Sequence, residues 1–407
     1  MKNLCRLVFC LLFSLAATAQ EELPPLKPIK GHHTPAHVAA QGFRHGVNIA
    51  NYLEVPPGEQ WAVPHSVLDL QEIRAEGFDH IRLPVGWQYY AGPGPDFKLP
   101  DQIFAKVDDM VTNATALGLN VIINIHDFFA LNTNPAANTP EFLAMWRQIA
   151  SHYTGAAGGA GLEPLNQPRG AGALRLRNMG RSHFGVIAFE LLNEPRGKAT
   201  TAVLNPIYAE AIREIRRLNP QRTLFIGPGN FNSPDELPNL RLPDDDHNLI
   251  VTLHCYEPLL FTHQGAAWMG PDFRVTGIQF PGPPQTPFVA DPKVKLTQLA
   301  FDRIHKYNTL PADKNPSGPR TFLSMIHKAK AWSDQSGRPV HFGEFGAIMN
   351  ADQASRARYY EAMRQALEAA GMGWAIWDWK SGFNYWDPKT QQPLPGLREA
   401  LFPAKGQ

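Results

Sequence analysis

Cysteine is nearly absent: the chain has three in 407 residues, and two of them, Cys5 and Cys10, fall among the first ten. Cys255 has no partner within the chain, so no internal disulfide is expected and stability must come from a buried core. Its surroundings predict a small buried hydrophobe, because no matching base stands near it in sequence to make it a nucleophile. Excess charge is also missing. Lys and Arg number 38 against 37 Asp and Glu, which excludes a strongly basic surface for nucleic acid or anionic lipid. No apolar run is long enough to span a bilayer. No Gly-x-Gly-x-x-Gly follows the first apolar segment, which argues against a dinucleotide-binding sheet. Fifteen histidines invite a metal, yet there is no His-Glu-x-x-His, and the pair His32-His33 lies in a Pro- and Ala-rich leader. No metal and no organic cofactor are expected. No Ser/Thr-rich linker marks off a second module.

What is present begins with an export signature. Lys2 and Arg6 precede the apolar stretch Leu7–Leu15, and Ala17-Thr18-Ala19 offers small residues for cleavage. Phe9 before Cys10 is too bulky for a lipoprotein signal. Residues 1–19 are therefore expected to be a cleaved signal peptide, giving a secreted or periplasmic protein of bacterial type. Cleavage removes Lys2 and Arg6 and leaves 36 basic against 37 acidic side chains, a net charge of −1. Residues 20–41 show no periodicity and read as a flexible or surface-draped leader. Residues 42–407 read as one catalytic domain.

Within that domain, strand-like and helix-like segments alternate. Strands are expected at Gly42–Asn48, His80–Pro84, Asn120–Ile125, Val186–Leu192, Thr223–Gly227, Leu249–His254, Val340–Gly343 and Trp374–Trp377. Helices are expected at Ser66–Glu76, Gln102–Leu117, Glu141–Tyr153, Ala202–Leu218, Phe322–Gln335 and Ser355–Ala370. The segment after the fifth strand is short and Pro-rich, so a helix there is doubtful. Continuous apolar strands alternating with helices imply a parallel sheet covered on both faces, and eight such units favour a closed (β/α)₈ TIM barrel, an α/β fold. Two insertions interrupt the pattern. Gly155–Ser182 precedes the fourth strand and falls at the end of the barrel away from its catalytic mouth. Cys255–Gly318 follows the sixth strand at the mouth and is expected to form part of a groove wall.

Two glutamates carry the chemistry. Leu191-Leu192-Asn193-Glu194-Pro195 and Phe342-Gly343-Glu344-Phe345-Gly346 each place one directly after a strand-forming run. Two carboxyls at the ends of different buried strands suit glycosidic bond cleavage: one protonates the leaving oxygen, the other attacks or stabilises an oxocarbenium-like carbon. Barrel active sites lie at the C-terminal strand ends. Arg82, His126, Asn193, His254, Tyr256 and Trp377 fall at or just beyond such ends as well.

With these residues the chain resembles glycoside hydrolase family 5, the cellulase family A, and its bacterial endoglucanases in particular. The resemblance covers roughly residues 43 to 402. It implies that Glu194 is the general acid and base, Glu344 the nucleophile, and Arg82 and Tyr256 the partners that hold Glu344 charged. It further implies that Asn193 contacts the sugar 2-hydroxyl, that His126 and His254 bind hydroxyls or the acid, and that Trp377 is a sugar platform. Retention requires carboxyls about 5–5.5 Å apart. Gly46–Glu54 resembles the family's first-strand loop and Phe261–Trp268 its loop after strand six, so Asn48, His263 and Trp268 are expected to line outer subsites. Trp87, Tyr89, Tyr90 and Trp386 are further stacking candidates, although large aromatics are more often core. The chain departs from many relatives at His126-Asp127, where they carry His-His, and at His254-Cys255-Tyr256, where they carry His-Tyr-Tyr. These departures leave the catalytic pair intact and bear on sugar preference. The expected function is a retaining endo-β-1,4-glucanase acting as a monomer on a β-linked polysaccharide or oligosaccharide. The alternatives are a β-mannanase or glucomannanase, a transglycosylase acting on an envelope exopolysaccharide, and a non-catalytic sugar-binding barrel.

Overall fold

The computed structural model describes residues 33–155 and 185–404. The expected signal, residues 20–32 of the leader and all but the start of the Gly155–Ser182 insertion lie outside the described residues.

Eight parallel strands close into a barrel, β1 (His45–Asn48), β2 (His80–Leu83), β3 (Asn120–Asn124), β4 (Ile187–Glu190), β5 (Leu224–Ile226), β6 (Leu249–His254), β7 (Val340–Phe345) and β8 (Gly373–Ile376), with β8 pairing back onto β1. All eight expected strands are present. All six expected helices form too, the third of them longer than the periodicity implied, over Pro135–His152. Its first turns, Pro135 to Pro140, hold two prolines, Asn138 and Thr139 but no large apolar side chain, which is compatible with a helix start but hides the start from an apolar count. After β5 only a short left-handed turn and a 3₁₀ segment form, Gly229–Asn232 and Pro234–Asn239.

Side chains alternate across each strand. Val121 and Ile123 of β3 and Leu249, Val251 and Leu253 of β6 face outward into the large core beneath the helices. Ile122, Ala188, Phe225 and Ile250 face inward and pack with Phe43 and Ala36 at the bottom of the barrel. That bottom is closed by a short helix, Pro35–Ala40, capped by the Thr34 side chain and tied down by the Ala36 amide donating to the His247 carbonyl at 3.1 Å. The leader expectation is therefore corrected for its last residues. A six-residue helix is too short for periodicity to reveal, and it is held by tertiary contacts rather than propensity.

Moving up the barrel, the inward positions turn polar: Ala188 is followed two residues later by Glu190, and His80 by Arg82. The insertion after β6 is ordered by buried Gln264. Its amide donates to the Phe261 and Ile278 carbonyls, and its oxygen accepts from the Gly277 and Ile278 amides. It also contains a helix not foreseen from the sequence, Gln298–Thr309. Among the described residues no helix is long and apolar enough to cross a membrane.

Candidate active site

Arg82 organises the mouth. It is fully buried, and its guanidinium donates to five acceptors: Nε and Nη2 to Glu190 at 2.7 and 2.6 Å, Nη1 to Asn48 at 2.8 Å and Glu344 at 2.7 Å, and Nη2 to Asn193 at 2.7 Å. Five acceptors match the five N–H groups of an arginine, so its fork cannot rotate without breaking several bonds. Burial disfavours its charge, but Glu190 and then Glu344 outweigh that and hold its pKa above the ordinary value.

Glu344 is brought into place by an irregularity. The β6–β7 register shifts between Leu253 and His254, so His254 stands opposite Glu344, the local effect expected where one strand carries an extra residue. The two glycines flanking this segment are required by close approach. A Cβ on Gly343 would lie 2.7 Å from Thr252 Oγ1, and one on Gly346 would lie 2.1 Å from the Trp377 carbonyl oxygen. Glu344 Oε1 accepts from Arg82, and Oε2 accepts from the Tyr256 hydroxyl at 2.7 Å. Burial raises its carboxyl above the ordinary range, opposed by His254, Arg82 and the Tyr256 bond.

Glu194 sits just past β4 in a left-handed backbone conformation, φ 41°. Its carboxylate lies 2.9 Å from His254 Nδ1, and its side chain is 22% exposed where that of Glu344 is 5%. Desolvation and then the nearby Asp127 raise its pKa to about 7, against the opposing pull of Arg196 and Arg82. Desolvation lowers His254 to about 4 and His126 to about 3, so both rings are neutral near pH 7. One carboxylate oxygen of Glu194, one of Glu344 and a ring nitrogen of His254 all lie within 4.8 Å of one another.

His126 stacks nearly parallel to Trp377, 5.8 Å between centroids at 11°, and its Nε2 is 3.4 Å from Asn193 Nδ2. Arg82, His126, Asn193, Glu194, His254, Tyr256, Glu344 and Trp377 thus converge on one mouth. The family description "Cellulase (glycosyl hydrolase family 5)" matches residues 47–178 and 183–382, most of the chain. The chain belongs to glycosyl hydrolase family 5.

Among curated members, Endoglucanase H of Acetivibrio thermocellus is 25% identical over 333 residues, 82% of this chain but only 29% of that protein. Endoglucanase C of the same organism is 26% identical over 351 residues, covering 83% of this chain and 91% of its own. The chain thus spans under a third of the first relative and nearly all of the second. Among solved structures, the endoglucanase Cel5A of Thermotoga maritima superposes with a TM-score of 0.72 at 28% identity, over 91% of this chain and all of that one.

The outer positions are placed differently from expectation. Asn48 is fully buried: its amide donates to the Gly343 and Ile376 carbonyls at 2.9 and 3.0 Å, and its oxygen accepts from Arg82. It is a partner of the arginine and is closed off from solvent. His263 is buried, with Nδ1 3.0 Å from Thr262 Oγ1 and its ring edge-on to Tyr256 and Phe383, so it braces Tyr256. Trp268, in contrast, is 70% exposed. Trp87 donates from its indole nitrogen to the Asn124 carbonyl and is fully buried, and Trp386 stacks on Trp379 at 5.0 Å. Both are core residues, whereas Tyr89 and Tyr90 are half-buried.

Sequence reasoning missed Glu190. Its signal was a lone charge in the apolar run Ile187-Ala188-Phe189-Glu190 at an inward position. The Glu194–His254–Glu344 trio has a spacing that could hold a cation. The two oxygens of Glu344 each accept one bond, from Arg82 and from Tyr256, which places a positive guanidinium 2.7 Å from one of them.

Proposed function

We propose that this chain is an exported, endo-acting β-1,4-glucanase that hydrolyses its substrate with retention. The observation that carries the reading is the pairing of two unlike carboxyls. Glu194 and Glu344 approach within 4.8 Å, near the separation of retaining enzymes. Arg82 and Tyr256 bond Glu344 and leave Glu194 to His254. A carboxylate holding two donors is favoured in its ionised form as a nucleophile. A carboxyl raised to about 7 is suited to carry a proton at neutral pH.

In the first step a Glu344 oxygen bonds the anomeric carbon as the glycosidic C–O bond breaks, and Glu194 gives its proton to the departing oxygen. In the second, Glu194 takes a proton from water, whose oxygen attacks the same carbon and releases Glu344. Arg82 and Tyr256 balance the charge on Glu344 as it is spent and restored. Neutral His254 bonds Glu194 whichever partner carries the proton. Asn193, tied to Arg82 and His126, is positioned for a sugar hydroxyl, and Trp377 for the C–H face of the ring.

The test is hydrolysis of soluble β-1,4-glucan followed by viscometry, product sizing and NMR of the anomer first formed. An early fall in viscosity, mixed oligosaccharides and a β-anomer are expected. Glucose released only from chain ends, or an α-anomer, would overturn the proposal.

A further inference from the structure

Beside Glu194 and away from Glu344, a charged side chain stands between two exposed aromatic rings. The Arg196 guanidinium carbon lies 4.9 Å from the Phe129 ring centroid and 5.3 Å from that of Phe231. These phenylalanines are 51% and 49% exposed, so core packing does not account for them. Arg196 Nη1 donates to the Glu194 carbonyl at 3.0 Å and lies 3.5 Å from Asp127 Oδ1. The three loops are stitched together: the Arg196 amide donates to Asn132 Oδ1 at 3.0 Å, and the Phe231 amide to the Pro195 carbonyl at 3.1 Å.

The backbone here is held in a sparsely populated conformation. Asp127 and Glu194 have φ of 57° and 41°, and Asn230, Phe231 and Asn232 follow one another at 52°, 61° and 55°. Left-handed non-glycine residues are uncommon, and a run of three needs its surroundings to impose it. The result presents Phe231 to solvent next to the general acid.

Topology assigns this cluster a side. Asp127 and Phe129 follow β3, Arg196 follows β4 and Phe231 follows β5, on the arc that carries Glu194. Glu344 and Trp377 belong to β7 and β8, across the mouth. The bond to be broken lies between the two carboxyls, and its oxygen departs toward the proton donor. Resting on the glucanase reading above, we propose that Phe129, Arg196 and Phe231, with Asp127, bind the sugar units on the leaving side of the scissile bond. The exposed rings take the C–H faces of those sugars. The guanidinium and the Asp127 carboxylate offer a donor and an acceptor to their hydroxyls. A merely structural role, in which Arg196 only braces the Asn-Glu-Pro loop and with it the acid, would slow every substrate whose leaving oxygen needs a proton, but would leave unchanged which bond of cellopentaose is cut.

The experiment compares wild type, Phe231→Ala, Phe129→Ala and Arg196→Ala on two substrates, cellopentaose and β-cellobiosyl fluoride. Cellopentaose places sugars on the leaving side; in the fluoride that side is a single ion. Each variant is expected to lose about tenfold or more in kcat/KM on cellopentaose, and its loss on the fluoride is expected to be at least about fivefold smaller. Cleavage of reducing-end-labelled cellopentaose should also shift toward bonds with fewer sugars on the leaving side. Phe129 and Phe231 lie on different loops, so a folding failure in one variant leaves the other informative. Equal losses on both substrates, an undiminished rate on cellopentaose, or a loss on cellopentaose with its cleavage pattern unchanged would overturn the assignment. A wild type inactive on both substrates overturns the glucanase reading and this inference with it; equal losses in an active glucanase overturn this inference alone.

Discussion

Arg82 and Glu190 form a two-pronged ion pair inside the barrel, with Nε and Nη2 of the arginine 2.7 and 2.6 Å from the two carboxylate oxygens and both side chains fully buried. The same guanidinium reaches Glu344 at 2.7 Å. One cation therefore serves two carboxylates, those of Glu190 and Glu344. Removing one member of such a pair leaves an uncompensated buried charge, a loss of about 3–5 kcal/mol. Glu190→Ala should lower the unfolding free energy by that amount in urea titration, and turnover should fall because the guanidinium is then free to tilt. A change under about 1 kcal/mol would mean that Arg82 is fixed by its other bonds alone.

Glu194→Gln and Glu344→Gln should each reduce turnover of an unactivated glucan by at least about a hundredfold, with far-UV circular dichroism unchanged. Azide should restore activity to Glu344→Ala and yield a glycosyl azide, because a small anion can occupy the vacated space. Near-normal turnover by either glutamine variant would remove that residue from the mechanism.

The pH profile should follow the coupled pair. In the proposed mechanism Glu194 must hold its proton, so kcat/KM should fall on the alkaline side through about pH 7, the value to which burial and Asp127 raise it. Glu344 must be ionised, and burial raises it too, so the acid limb should lie above the ordinary carboxylate range. Asp127→Asn removes a neighbouring negative charge that favours the protonated form of Glu194. The alkaline limb should therefore move to lower pH, measured as kcat/KM against pH on one oligosaccharide. A limb that stays in place would show that burial alone sets the shift.

Trp377→Ala should damage turnover more than Trp268→Ala. Trp377 follows a barrel strand and stacks on His126, so its loss misplaces the reacting ring. Trp268 stands 70% exposed in the long loop after β6, and its loss should chiefly raise KM, by the equivalent of roughly 1–3 kcal/mol. Steady-state kinetics of both variants on one cello-oligosaccharide decide the order.

Activity should survive exhaustive EDTA treatment, since in the proposed mechanism two carboxyls supply both the proton transfer and the nucleophile. Loss on chelation with recovery on restoring one specific ion, at constant melting temperature, would assign a metal to the Glu194–His254–Glu344 trio.

The eight strands were legible in the sequence because most are short apolar, β-branched runs buried on both faces and alternating with helical patterns, although β1 and β2 carry His45, Asn48, His80 and Arg82. The helix Gln298–Thr309 was not legible. It lies inside a Pro-rich insertion whose order comes from Gln264 and from the Tyr307 hydroxyl, which accepts from the Gln279 amide at 2.8 Å. Glu194 and Glu344 could be placed at strand ends from their motifs, and the barrel brings their carboxyls together at one mouth. Asn48 and Glu190 could not be assigned their partners. Both depend on where Arg82 points, and the three residues come from β1, β4 and β2.

Residue types and strand ends thus determined which side chains are available to the reaction. Only the closed barrel decided their states. Which carboxyl meets Arg82 and which meets Asp127 depends on strand order, on the register shift at His254 and on the left-handed turn at Glu194. Electrostatic fields act across space rather than along the chain, and residues far apart in sequence here stand within a few ångströms of each other.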